Sequence, residues 1–140
     1  MKRFLEFGLI VSVLALIFGA QALKVHAAPP PQKEAKDISV VEIPDKTRVV
    51  KTILQGKYIF VHDDERMAKG EDCFYIYEYS LDASGKPDLN KDKLVVSFHC
   101  TPVQRPKATQ IVMTYGIVNA DLSELREIQF PGSTEGHRVP

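Results

Sequence analysis

Two cysteines carry the sharpest chemistry in this 140-residue sequence. Cys73 opens the run CFYIYEY (residues 73–79) and Cys100 closes the run LVVSFHC (residues 94–100). Both runs are rich in aromatic and β-branched residues, and the connector SLDASGKPDLNKDK is polar, with a glycine and a proline. Opposite residues of an antiparallel hairpin keep a constant index sum. Placing Cys73 opposite Cys100 sets Tyr75 against Phe98, Tyr77 against Val96 and Tyr79 against Leu94, a wholly apolar face. The other face pairs Phe74 with His99, Ile76 with Ser97 and Glu78 with Val95, a mixed face suited to solvent. The register that satisfies the hydrophobic pattern therefore also brings the sulfurs together, and a Cys73–Cys100 disulfide is predicted. Closing such a loop contributes up to about 3.5 kcal/mol in the chain-entropy model. The C-x-x-C spacing of a redox motif is absent.

The remaining candidates are weaker. Glu78, Ser97 and His99 share the predicted outer face and form a possible binding surface. As a nucleophile–base–orienter set they fail on spacing, because same-face neighbours on a strand stand roughly 7 Å apart, beyond hydrogen-bond reach. His62, Asp63, Asp64 and Glu65 offer metal-ligand types, but adjacent residues on a turn rarely converge on one ion, and neither His99 nor His137 is placed near them by the sequence. Asp88, Asn90 and Asp92 resemble the opening of a calcium loop. Lys93 then stands where the loop needs glycine, and His99 where it needs glutamate. The expectation is no catalytic residue, no metal and no cofactor.

These side chains must be held by strands. Residues 38–43 read as a strand stopped by Pro44. Residues 47–54 and 57–62 flank Gln55-Gly56, a tight-hairpin signal. In HDDERMAKG (residues 62–70) Asp63 or Asp64 can cap one helical turn, with Gly70 closing it. Residues 109–118 read as a strand. Residues 121–130 fit either a helix with a capping box or a strand. The tail PGSTEGHRVP reads as turn. About six short strands without a long amphipathic helix predict a mainly β fold, a small antiparallel β-sandwich or barrel with a disulfide-linked hairpin.

The N-terminus sets the compartment. Lys2 and Arg3 precede an uncharged run from residue 7 to 20, which at about 14 residues suits a signal peptide and is short for a spanning helix. Ala22 and Ala27 each end a small-residue cleavage pattern. The domain reading is thus residues 1–27 signal peptide, 28–44 proline-rich linker and first short strand, and 45–140 a single β domain. Lys plus Arg and Asp plus Glu both total 18, which argues against nucleic acid as a partner. GKYIFVHDDERMAKGEDCFYIYEY (residues 56–79) and VVSFHCTPVQR (residues 95–105) together resemble small exported bacterial proteins with no assigned activity. Gly70, Glu71, Cys73, Phe98, His99, Cys100 and Pro102 carry the resemblance, which implies an exported bacterial setting and nothing about a site. The sequence therefore points to a periplasmic or secreted, non-enzymatic domain that binds a protein or a cell-envelope component. A small secreted hydrolase or metal-dependent enzyme is one alternative. A module tethered to the membrane by an uncleaved N-terminus is the other.

Overall fold

The computed structural model describes residues 36–140, so the predicted signal peptide and the proline run of the predicted linker lie outside the described residues. Eight strands follow: β1 (Lys36–Val49), β2 (Thr52–Asp63), β3 (Phe74–Glu78), β4 (Leu94–Phe98), β5 (Thr101–Gln104), β6 (Val112–Asn119), β7 (Leu122–Gln129) and β8 (Glu135–Arg138). Among the described residues one α-helix, α1 (Asp64–Ala68), separates β2 from β3, and a single 3-10 turn (Lys91–Lys93) precedes β4. Asp63 caps it by accepting a hydrogen bond from the Arg66 backbone N–H, and Gly70 follows at φ +73°.

β1 and β2 form one long antiparallel hairpin, paired from Lys36–Asp63 to Val49–Thr52. The turn lies at Val50 and Lys51, with Val50 at φ 57°, and not at Gln55-Gly56 as the sequence suggests. Gly56, at φ 107°, sits inside β2 opposite Ile43, beside an irregularity that takes up Pro44, Asp45 and Lys46. Proline lacks the N–H a ladder needs and glycine tolerates the positive φ. Together they bend a continuous pair of strands instead of ending it.

The strands join in the order β4-β3-β2-β1-β7-β8-β5, with β6 on the remaining edge of β7. β1 meets β7 in parallel through Thr47–Ser123 and Arg48–Glu124, so the sheet is mixed. The fold is mainly β as expected, but in place of the predicted antiparallel β-sandwich or barrel one mixed sheet curls into a half-barrel. Twist accumulating along the long bulged strands curls a single sheet far enough to cover its own inner face. That face buries Val41, Ile43, Val49, Leu54, Phe60, Phe74, Ile76, Phe98, Leu125, Ile128 and Phe130. Residues 121–130, ambiguous by sequence, supply β7. The tail read as turn supplies β8, and β5 was not anticipated.

The β3–β4 register also differs from expectation. Phe74 pairs with Phe98, Tyr75 with Ser97 and Ile76 with Val96, before a one-residue slip pairs Tyr77 with Leu94. Phe74, Ile76 and Phe98 are buried, and the tyrosines face outward. The Phe74 and Phe98 rings stack with centroids 5.0 Å apart, and Phe60 meets Phe74 edge-on at 5.8 Å. Phenylalanine carries no polar atom into the core, whereas a buried tyrosine hydroxyl requires a partner. Tyr75 instead donates its hydroxyl hydrogen to the Asp72 carbonyl, and the guanidinium of Arg66 lies 5.5 Å from the ring centroid.

Candidate metal centre

The cysteines sit one or two residues outside the paired segments, where strand alternation no longer applies. Cys73 precedes β3 and donates its backbone N–H to the Phe98 carbonyl at 3.2 Å. Cys100 lies between β4 and β5, and its backbone N–H points at Cys73 Sγ at 3.3 Å. Both side chains are fully buried. Their sulfurs are 2.9 Å apart and the cysteines are unbonded, so the disulfide is not formed in this structure. The distance exceeds the ~2.05 Å of a disulfide. Burial, followed by the neighbouring Cys73 sulfur, pushes the Cys100 thiol pKa far upward.

Two histidines complete the cluster. His62 lies near the C-terminal end of β2, where burial is continuous from Ile59 to Asp63. His137 lies in β8, paired across to Pro102 of β5 and Ile128 of β7. Both imidazoles are completely buried and stack with centroids 3.8 Å apart and 28° between planes. Cys100 Sγ is 3.7 Å from His137 Nδ1. One ligand atom each from His62, Cys100 and His137 falls within 4.8 Å of the others. Carboxylates stand near the imidazoles: Asp64 Oδ1 is 3.3 Å from His62 Nδ1, and Glu135 Oε1 is 3.9 Å from His137 Nδ1, the nitrogen that also faces Cys100 Sγ. Phe74 and Phe130 wall the histidine pair, with centroids 6.2 and 6.5 Å from His62.

This ligand set is soft to borderline: a thiol beside a second thiol, plus two imidazoles. Such donors suit zinc or cuprous copper, whereas calcium and magnesium need oxygen. A tetrahedral ion with bonds of 2.0–2.3 Å holds its ligand atoms about 3.3–3.8 Å apart, so the cluster closes on an ion with side-chain adjustments of roughly an ångström. A Cys100 thiolate would offset part of the charge that an ion brings into the phenylalanine shell, which low-dielectric surroundings favour.

No family model, curated protein or solved structure matches the chain.

The other sequence candidates are dispersed. Ser97 donates to Asp72 Oδ2 at 2.7 Å, and His99 Nδ1 lies 2.7 Å from the Glu71 carbonyl oxygen. Glu78 follows Phe74 and Ile76 in alternation, so it does not share the face of Ser97, contrary to the predicted register. Of the His62–Glu65 run, only His62 enters the buried cluster. Asp63 caps α1 and pairs with Lys36 at 3.3 Å, while Asp64 supports the His62 ring. Asp88 binds Lys93 Nζ at 2.7 Å, and Asn90 accepts from the Asp92 backbone N–H, so the calcium-like loop is spent on its own turn. An open groove lined by Asp45, Lys46, Gln55, Ile117, Asn119 and Asp121 shares no residue with the buried cluster.

His137 is the residue that sequence reasoning missed. Glycine, serine, proline and acidic neighbours gave its segment the look of a turn. The available signal was the alternation of Gly136 and Arg138 around a histidine, too short to separate a four-residue strand from a loop.

Proposed function

We propose that this chain is exported and that its β domain is a non-enzymatic binder of one soft transition-metal ion. His62, Cys100 and His137 are the ligands, with Cys73 beside Cys100. The observation that carries this reading is the convergence of three buried ligand atoms within 4.8 Å. A proton held on His62 Nδ1 by Asp64 would leave Nε2 for the ion, the usual carboxylate–imidazole–metal relay. The ligands come from β2, the β4–β5 junction and β8, so an ion would lock the C-terminal strand onto the rest of the sheet, and metal binding would be coupled to folding. The signal-like N-terminus supports export, and the complete burial of the ligands behind Phe74 and Phe130 supports a binding role.

The test is zinc titration of the reduced, processed protein. One zinc ion per chain, lost in Cys100→Ser and His137→Ala, is the expected result. A reduced wild-type protein that takes up no zinc overturns the reading. N-terminal sequencing of the exported protein is expected to begin after Ala22 or Ala27; an intact N-terminus would support the membrane-tethered alternative.

A protein or envelope partner is a second element of the proposal, supported by β6. Among the described residues that strand pairs only with β7, and Ile117 on it is 91% exposed, with Val112, Tyr115 and Val118 also exposed. Such an edge can accept a partner strand. Ile117→Lys is expected to weaken capture of a purified envelope partner while leaving thermal stability unchanged; equal capture would remove the edge from consideration.

A further inference from the structure

We propose that Cys73 is a redox gate on the metal centre: its bonding to Cys100 withdraws the one sulfur ligand on which the ion depends. This rests on the metal reading above and assigns a regulation to that site.

Cys100 Sγ has two competing neighbours. Cys73 Sγ lies 2.9 Å away and His137 Nδ1 lies 3.7 Å away on the metal-binding side. Two bonded sulfurs stand about 2.05 Å apart, so the disulfide lies within about an ångström of the reduced, metal-free arrangement, and the three-ligand cluster closes on an ion by movements of similar size. Cys73 N–H is tied to Phe98 and Cys100 N–H to Cys73 Sγ, holding the sulfurs adjacent whether or not they are joined. Cys73 itself falls outside the group of three whose ligand atoms converge. It is therefore placed to change the sulfur chemistry of Cys100 without being required for the three-ligand site.

The chemistry balances with a low-molecular-weight disulfide as oxidant. Cys73 gives up its proton and attacks that disulfide, forming a mixed disulfide and expelling one small thiol. Cys100 then leaves the ion and attacks the mixed disulfide, forming the Cys73–Cys100 bond and expelling the other small thiol. Two electrons pass from the cysteine pair to the oxidant. Starting from the zinc-bound state, with Cys100 as thiolate and Cys73 as thiol, one released thiol carries the Cys73 proton and the other takes a proton from water. The ion leaves as a hydrated cation, because a disulfide sulfur lacks the anionic lone pair that makes a thiolate a ligand. In a reducing environment the centre holds metal; in an oxidising one the same two sulfurs staple β3 to the β4–β5 junction.

Oxidised glutathione added to zinc-loaded protein tests this, with free zinc, free thiols and intact mass followed together. Zinc release in step with the loss of two thiols, and a mass lower by two hydrogens, is the expected outcome. Cys73→Ser is expected to bind zinc when reduced and to release it about ten-fold more slowly than wild type under the same oxidant, having lost the sulfur that attacks the oxidant. Zinc retained by a protein whose disulfide has formed overturns the gate while leaving the metal reading intact. Release from Cys73→Ser as fast as from wild type does the same. A reduced wild type that binds no zinc overturns both. Should Cys73→Ser fail to fold, the wild-type comparison of thiol loss with zinc release decides alone.

Discussion

His137 stacks face to face on His62, with ring centroids 3.8 Å apart, although 75 residues separate them in the chain. The pairing brings the last strand of the sheet against the second and puts two ligand-type side chains into a shell of phenylalanines. His137→Phe keeps an aromatic ring in this stack but removes the ligand. Zinc binding should vanish, with stability in the metal-free state changing by about 1–2 kcal/mol, as for other core swaps of similar size. His137→Ala should cost about 2–4 kcal/mol by opening a cavity. Urea denaturation with and without zinc separates the two effects. At about 100 times its Kd, zinc should add about 2.7 kcal/mol to wild type and nothing to either variant.

The inward placement of Phe74 and the outward placement of Tyr75 predict opposite sensitivities at adjacent positions. Phe74 is fully buried and in ring contact with Phe60, Phe98 and Phe130. Phe74→Ala should therefore cost about 3–5 kcal/mol. Tyr75→Ala loses a partly exposed ring and its contact with Arg66, and should cost about 1 kcal/mol. Chemical denaturation of both variants checks the order; a larger loss at Tyr75 would restore the register in which the tyrosines face inward.

Acid should weaken the packing of β7 against β8 and the segment after β5. Arg105 grips both oxygens of Glu127, at 2.6 and 2.7 Å, and Arg138 Nε adds a contact at 3.9 Å. The hydrogen bonds from Arg105 hold the Glu127 carboxyl below its ordinary pKa of 4.5. A depressed folded-state pKa means that the unfolded chain takes up the proton first. The contribution of Glu127 is therefore present above pH 4.5 and is lost as pH falls through the lower, folded-state value. Glu127→Gln should cost about 1 kcal/mol at neutral pH and flatten the acid limb of a Tm-against-pH profile.

Val50 occupies the left-handed region at φ 57° in the β1–β2 turn, where a β-branched side chain is strained. Val50→Gly removes about 1–2 kcal/mol of strain and gives up part of that gain in lost packing, because Val50 rests on the core. The net expectation is a gain of about 0.5 kcal/mol, read as a small rise in Tm. A fall in Tm would show that the packing outweighs the strain.

Much of this architecture is local and was legible. The β-branched and aromatic runs declare strands, the polar connectors declare turns, and Asp63 with Gly70 frames α1. These follow from backbone sterics and capping, which act over a few residues. Adjacency of the two sulfurs was also reached from the sequence, but through a register shifted by one from the observed pairing. It survives the shift because both cysteines lie beyond the regular ladder, where alternation stops dictating direction.

Residue types and spacing suffice for a strand-built domain with two cysteines close in space. Long-range packing set which face of β3 is inside, that a bend and not a turn sits at Gly56, and that the tail forms β8. The ligand cluster depends on that last decision. His62, Cys100 and His137 come from three separate stretches of chain, and no local rule links them. Curling one mixed sheet onto its own inner face brings them together, because burial of phenylalanine and aliphatic side chains sets where distant strands must meet.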